Sequence, residues 1–218
     1  MMIKEKYFDS LIKDDPENRI LKNILKFRDM HELKMKKGNI CFLILDMQKF
    51  FFDKNSHAFI PQGESIIKHI KMISDIFFEF SMPVIMTRHI NTKENAEQMG
   101  KWWRDFIRKE DEYSELIDSE LSEKAVVIEK TQYNAFYNTN LESILKAKNV
   151  TQVLIGGVMT HLCCETTARE AFVRGYDTFF GIDFTATYNR DFHLSSLLNI
   201  SHGFAYPVFA NEVIERFG

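Results

Sequence analysis

The chain has 218 residues, of which 45% are hydrophobic and 27% are charged, and its formal net charge is −3. This length and composition predict one globular domain with a sizeable core and exclude a disordered or fibrous chain. Because there is no basic excess, neither nucleic acid nor a membrane surface is an expected partner.

Targeting and cysteine signals point to the cytoplasm. The opening stretch "MMIKEKYFDSLIKDDPENR" is charged throughout and lacks the apolar run of about 7–15 residues that a signal peptide needs. No stretch approaches the ~20 apolar residues of a membrane span. Three cysteines, two of them adjacent, fit neither a disulfide framework nor a zinc-binding spacing. We therefore predict a protein of the reducing cytoplasm.

The first predicted element is an amphipathic helix over residues 15–37. Asp15 is its candidate cap, Pro16 takes the first helical position, and Gly38 ends it. This helix either packs against the main domain or binds a partner. We divide the chain into a helical extension, residues 1–38, and a main domain, residues 39–218. The apolar residues at helical spacing are Ile20, Leu21, Ile24, Leu25, Phe27 and Met30.

Six apolar runs of β-forming residues follow and alternate with helical patterns. The runs are "NICFLILDMQ", "MPVIMTRH", "KAVVIEK", "VTQVLIGGV", "YDTFFGIDF" and "AYPVFA", and the main helical patterns cover 63–80, 139–148, 163–174 and 191–203. Continuous apolar runs are typical of strands buried on both faces of a parallel sheet. The order predicts an α/β fold of three α/β/α layers, Rossmann-like, with a mostly parallel six-stranded sheet.

Polar residues stand where four of these strands end. They are Asp46, His89, Lys130 and, past the fourth strand, Cys163. In such sheets ligands bind outside the carboxyl ends of the strands. A helix N-terminus and a nearby ammonium would lower the pKa of the Cys163 thiol, and a carboxylate could take its proton. Asp46, Lys130 and Cys163 are therefore candidates for a nucleophilic triad, with the turn "GGVMTHLC" offering N–H groups to an oxyanion.

Each of these residues also has a purely structural interpretation. A cysteine beside an apolar strand is commonly a small core residue, and Cys41 inside the first strand is interpreted in this way. A lysine after a strand is usually solvated, and an aspartate there often caps a turn. The catalytic interpretation depends on the joint placement of Asp46, Lys130 and Cys163 at strand ends.

Three blocks resemble the isochorismatase-like cysteine hydrolase superfamily. They are "LILDMQKFF", "EKTQYNAFYNTNLESIL" and "GGVMTHLCCETTAREAFVRGYD", which together with "VIMTRH" span about residues 41–190. The resemblance implies that residues 39–218 form the hydrolase domain and that Asp46, Lys130 and Cys163 form its catalytic triad. It further implies a cis peptide between Val158 and Met159, with the Met159 and Cys163 amides turned toward the oxyanion. The adjacent Cys164 stands where the superfamily has a small apolar residue, which predicts buried packing.

Two departures from the superfamily bear on the substrate. True isochorismatases cleave a vinyl ether and lack a cysteine at this position, so Cys163 favours acyl chemistry on an amide or related C–N bond. Nicotinamidases bind a metal through an Asp-x-His after the second strand, whereas this chain has His89 and Asn91 there. We therefore expect no metal and no other cofactor, and nicotinamide is a disfavoured substrate.

The predicted substrate pocket is apolar and aromatic. Segment 95–117 lies where the superfamily varies and often builds a lid, and its tryptophans belong either to the core or to the pocket wall. Members of the superfamily commonly oligomerise, so we expect a homo-oligomer, either a dimer or a tetramer. The other expected partner is a small-molecule substrate. The residues predicted to line the pocket are Gln48, Phe50, His89, Trp102, Trp103, Tyr133 and Phe136.

The sequence thus favours a hydrolase that cleaves the C–N bond of a small molecule through a Cys-Asp-Lys triad and a thioester. Two alternatives remain open at this point. One is hydrolysis of a vinyl ether, which needs the aspartate but no thiol. The other is a catalytically idle member that serves as a binding or assembly module.

Overall fold

The computed structural model describes residues 2–9, 19–103 and 105–218. Within them, six parallel strands form one sheet in the order β3-β2-β1-β4-β5-β6. The strands are β1 Ile40–Leu45, β2 Val84–His89, β3 Val126–Lys130, β4 Gln152–Val158, β5 Asp177–Ala186 and β6 Tyr206–Val208. The predicted six-stranded α/β architecture is confirmed, and every pairing in the sheet is parallel.

Helices cover both faces of the sheet. One group, α3 and α9, packs together and against β5, while α1, α7 and α8 form a second group. None of the helices in the described ranges is both long and apolar enough to span a bilayer. The helices are α1 Arg19–Arg28, α2 Lys49–Phe52, α3 Gly63–Glu79, α4 Met99–Trp102, α5 Ser119–Lys124, α6 Leu141–Ala147, α7 Glu165–Val173, α8 Arg190–Gly203 and α9 Ala210–Phe217.

The N-terminal helix is shorter than predicted. It ends at Arg28, and residues 29–38 continue without regular structure, so the expected end near Gly38 is wrong. The helical spacing of apolar residues stops at Met30, and the charged run after it offers α1 no further apolar face to bury. The predicted start at Asp15 and Pro16 lies outside the described residues.

The strand order reverses between β1 and β4. The chain runs outward from β1 through β2 to β3, and then returns to β4 on the other side of β1 before continuing to β5 and β6. All six residues of β1 are buried, as expected of a central strand. A crevice at the carboxyl ends of β1 and β4 is the expected ligand position for this topology.

Gly157 permits the close approach of β1 and β4 at this crevice. Its φ is +103°, and a Cβ atom at this position would lie 2.2 Å from the carbonyl oxygen of Leu45. Both the left-handed conformation and the lack of space require glycine. The next residue of the first strand, Asp46, also has a positive φ, of 51°, where the chain leaves the sheet.

Candidate active site

Three elements bring Asp46, Lys130 and Cys163 to the same point. Asp46 follows β1 directly, Lys130 is the last residue of β3, and Cys163 lies in a π-helical turn, Thr160–Cys164, between β4 and α7. Cys163 was expected to open an α-helix, but α7 begins only at Glu165. A π-helical turn therefore precedes the helix, and such turns are frequent at functional sites.

The Lys130 ammonium is at the centre of the cluster. Its Nζ lies 2.8 Å from Asp46 Oδ2 and 3.3 Å from Cys163 Sγ. It also donates to the carbonyl oxygen of Gln132 at 2.9 Å and lies 3.1 Å from His89 Nδ1. The Asp46 and Lys130 side chains are both fully buried, so the pair is an ion pair removed from solvent.

The charges of this pair stabilise each other. Burial alone would raise the pKa of Asp46, but the Lys130 ammonium holds it below its usual range. Burial alone would lower the pKa of Lys130, but the Asp46 carboxylate raises it. The second Asp46 oxygen, Oδ1, accepts a hydrogen bond of 2.6 Å from Thr87 Oγ1 and is fixed in orientation. Asp46 is therefore ionised and positioned at neutral pH.

The Cys163 thiol is protonated in the resting protein. Only 5% of this residue is exposed, and burial raises its pKa; Asp46 raises it further, while Lys130 opposes both. The expectation of a thiol with a lowered pKa is therefore wrong. A helix terminus and an ammonium favour the thiolate, but here the ammonium is paired with Asp46 and the sulfur is buried.

His89 is neutral and bridges Lys130 to the neighbouring loop. Its Nε2 lies 2.8 Å from Asn91 Oδ1, and burial lowers its pKa to about 4. The consistent tautomer carries the proton on Nε2, which donates to Asn91, and leaves Nδ1 to accept from Lys130. Gln48 fixes the His89 backbone from both sides, since its amide accepts from the His89 N–H and donates to the His89 carbonyl.

The donor set does not fit a divalent cation. Among the described residues, one donor atom each of Asp46, His89 and Cys163 lies within 4.8 Å of the others. However, the Lys130 ammonium contacts all three, and its charge opposes a cation there. Asn91, which stands where the resemblance would place a second metal ligand, is engaged with His89 and donates to the Thr131 carbonyl. Both imidazole nitrogens are thus already occupied.

We expect the purified protein to hold no stoichiometric zinc, iron or manganese, and to keep its turnover in EDTA. The physical reason is the engagement of His89 by Lys130 and Asn91. Elemental analysis before and after chelation measures metal content and activity on the same sample. About one metal ion per chain, with turnover lost on its removal and restored on its return, would contradict this expectation.

A cavity of about 260 Å³ opens onto Cys163. Four of the predicted pocket residues line it: Phe50, His89, Trp103 and Tyr133. The Trp103 indole N–H donates to the Tyr133 hydroxyl, which joins two walls of the cavity. Most of the other lining side chains are apolar, so the cavity suits a flat or apolar molecule. They include Phe51, Met99, Phe106, Ile107, Leu162 and Tyr188.

Three predicted pocket residues do not line this cavity. The Gln48 side chain is fully buried and its amide is used to hold His89. Phe136 stacks on Tyr176 with ring centroids 6.0 Å apart. Trp102 is 80% exposed, because the short helix α4 turns its neighbour Trp103, and not Trp102, toward the cavity. These three assignments are corrected.

The turn after β4 has the predicted backbone and packing. The peptide bond between Val158 and Met159 is cis, and Met159 lines the cavity beside Cys163. Cys164 is fully buried, with its sulfur 3.9 Å from the Gly156 carbonyl oxygen, as expected of a packing residue. Of the adjacent cysteines, Cys163 alone lines the cavity.

Sequence reasoning missed the contribution of distant segments to the cavity. Met2 and Lys4, near the start of the chain, line it together with His57 and Tyr188. No local pattern marks these residues, because their neighbours in sequence carry no motif. Only the folded chain brings them to Cys163.

Comparison with known proteins gives the family. The model of the isochorismatase domain matches residues 41–212. The chain belongs to the isochorismatase family. Within this family it is 36% identical over 172 residues to nicotinamidase 3 of Arabidopsis thaliana, a match that covers 76% of this chain and 82% of that protein.

Solved structures of isochorismatase-like proteins share the fold. A cysteine hydrolase from Pseudomonas syringae pv. phaseolicola 1448A superposes with a TM-score of 0.80 at 23% identity, covering 85% of this chain and 95% of that one. An N-carbamoylsarcosine amidase from Thermoplasma acidophilum gives a TM-score of 0.69 at 23% identity, with coverage of 79% and 97%. At these identities the isochorismatase-family fold is what is shared.

Proposed function

We propose that this isochorismatase-family hydrolase cleaves the C–N bond of a small amide through a thioester on Cys163. The observation that carries the proposal is the burial of Asp46 and Lys130 against a thiol that lines an apolar cavity. A relative named nicotinamidase at 36% identity supports amide chemistry. Vinyl-ether hydrolysis has no use for a thiol in this position, and the idle alternative leaves a costly buried ion pair without a role.

In the first half-reaction the thiol proton passes to Asp46 as Sγ attacks the amide carbonyl carbon. The proton has a short path, since Cys163 Sγ and a carboxylate oxygen of Asp46 lie within 4.8 Å of each other and Lys130 contacts both residues. A C–S bond forms, and the carbonyl π electrons move to the oxygen, where we expect the Met159 and Cys163 backbone N–H groups to stabilise the charge. The C–N bond then breaks, and Asp46 returns the proton to the leaving ammonia or amine.

In the second half-reaction water hydrolyses the thioester. Asp46 takes a proton from the water as the water oxygen attacks the thioester carbon. The C–S bond then breaks to release a carboxylic acid. The proton on Asp46 then returns to the departing thiolate, which restores the resting thiol. Lys130 keeps its proton throughout, because it is held by Asp46 and His89, and it stabilises negative charge on sulfur as that charge develops.

Early quenching is expected to trap the thioester. The test is a panel of nicotinamide, maleamate, ureidoacrylate, N-carbamoyl amino acids and isochorismate, with intact mass and product release measured on the same samples. A mass increase on Cys163 matching the acyl group, absent in Cys163→Ala, supports the proposal.

The adjacent cysteine provides the matched control. Cys164→Ala is expected to keep the thioester and turnover close to wild type, because its thiol does not reach the cavity; the cost is about 1 kcal/mol of folding stability. Turnover of any panel member by Cys163→Ala at the wild-type rate would show that the nucleophile is wrongly assigned. If that substrate were isochorismate, the vinyl-ether alternative would replace the proposal.

A further inference from the structure

Residues near the start of the chain form one wall of the cavity. Met2 and Lys4 line it, on the same cavity surface as Cys163. The backbone N–H of Glu5 donates to the carbonyl oxygen of Tyr188 at 2.9 Å, and Tyr188 itself lines the cavity. The wall is thus hydrogen-bonded to the segment that follows β5.

The other end of this wall is held by buried side chains. Gln62 Oε1 accepts from the backbone N–H groups of Tyr7, at 2.6 Å, and Phe8, at 3.1 Å. The Tyr7 hydroxyl in turn accepts from the N–H of Thr187 at 3.1 Å. Tyr7 and Phe8 are 3% and 8% exposed. Residues 2–8 are therefore fixed between two loops of the main domain, which fixes the position of Lys4.

Lys4 has a partly desolvated ammonium with hydrogen-bonding capacity left over. Its Nζ donates to the carbonyl oxygen of His57 at 2.6 Å and lies 4.4 Å from the centroid of the Tyr188 ring. An ammonium has three N–H donors, and His57 is its one hydrogen-bond acceptor among the described residues. Burial lowers the pKa of Lys4, as expected of a charge that lacks part of its solvation.

Within the described part of the chain, no carboxylate pairs with Lys4 at the cavity. Among the described residues that line the cavity, Lys4 carries the one ammonium or guanidinium group, and Asp105 carries the one carboxylate. Asp105 does not pair with Lys4; its Oδ1 accepts from the Phe106 N–H and lies 3.6 Å from Arg108. An anionic group that enters the cavity therefore meets a cation with donors to spare.

On the basis of the proposed function, we infer that Lys4 determines substrate specificity by binding a carboxylate on the acyl side of the amide. The scissile bond lies at Cys163, the apolar walls hold the body of the substrate, and Lys4 binds its negatively charged group. The substrate class is an amide with a flat or apolar acyl part. In addition to the amide carbonyl, this acyl part carries an ionised carboxyl group. A charge-assisted hydrogen bond of this kind favours the carboxylate over a neutral analogue.

Two activated esters with the same leaving group test this inference. The probes are 4-nitrophenyl benzoate and 4-nitrophenyl 3-carboxybenzoate, which differ only by the carboxylate. Nitrophenolate release gives the acylation constant of each, and intact mass locates the acyl group. The ratio of the two constants, charged over neutral, is measured for wild type, Lys4→Met, Lys4→Glu and Lys4→Arg. The matched control is Lys6→Met, since Lys6 is exposed and lies 3.8 Å from Glu64.

We expect the ratio to fall about tenfold in Lys4→Met, further in Lys4→Glu, and to be retained in Lys4→Arg and Lys6→Met. A loosened wall would change both esters together and leave the ratio unaltered. An equal ratio in wild type and Lys4→Met, with Cys163 acylated, overturns the role of Lys4 and leaves the proposed function standing. Failure of both esters to acylate Cys163 in every variant overturns the proposed function and this inference with it.

Discussion

Asp46→Asn is expected to lower turnover by about 10²–10⁴-fold, the range typical for loss of a general base. The amide cannot accept the thiol proton, and the raised pKa of Cys163 means that few molecules carry a thiolate without that transfer. Steady-state rates with the best substrate of the panel, for wild type and variant at one pH, measure the effect.

Stability must be followed in the same variant, because Asp46 also balances Lys130. Leaving one partner of a buried ion pair alone costs about 3–5 kcal/mol, so the free energy of unfolding should fall while the variant stays folded. The control is the double variant Asp46→Asn/Lys130→Met, which removes both charges and should recover part of that loss without recovering turnover. Turnover of Asp46→Asn within threefold of wild type would contradict the assignment of Asp46 as the base.

The free energy of unfolding is expected to fall steeply as the pH is lowered from 6.5 toward 4. Three histidines are neutral in the folded chain, two of them buried and His161 half-buried: desolvation lowers the pKa of His193 to about 3 and those of His89 and His161 to about 4. In the unfolded chain they bind a proton near pH 6.5, whereas in the folded chain they do not. Since the unfolded state binds more protons in this window, stability falls with decreasing pH.

His193 provides the sharpest test. Its Nε2–H donates to the Ile182 carbonyl, and its Nδ1 lies 3.1 Å from Thr160 Oγ1, so protonation would place a donor against a hydroxyl inside the core. At 1.36 kcal/mol per pH unit, this residue alone contributes a loss of about 2 kcal/mol between pH 6.5 and 5. Urea denaturation at several pH values measures the slope. His193→Gln should lower stability at pH 7 but flatten the slope, whereas the exposed His31→Gln should leave it unchanged; equal slopes for all three proteins would contradict the prediction.

The strands and the residues at their ends could be predicted from the sequence, because apolar runs and the polar residues that end them are local patterns. The β1 run ends at Asp46, and the β3 run ends at Lys130. The protonation state of Cys163 could not be predicted from the sequence. It depends on how completely the thiol is buried and on how closely Asp46 balances Lys130, and neither quantity has a local sequence signal.

The cavity walls were only partly predictable for the same reason. Trp102 and Trp103 are adjacent and chemically identical, so only the conformation of α4 decides which one faces the cavity. Lys4 is separated from Tyr188 by most of the chain, and a contact of that range has no periodic pattern. The aromatic residues beside the triad positions therefore predicted an aromatic pocket, but they identified only part of its walls.

The close approach of β1 and β4 at Gly157 has a consequence for how this protein can diversify. The reacting groups follow strands whose spacing is fixed by backbone contact, whereas most of the cavity wall comes from loops, short helices and residues near the start of the chain. Substitutions in those walls can change which molecule is accepted without altering the distance between base and sulfur. Substitutions that change the accepted substrate should therefore accumulate in the cavity walls, while position 157 admits no side chain.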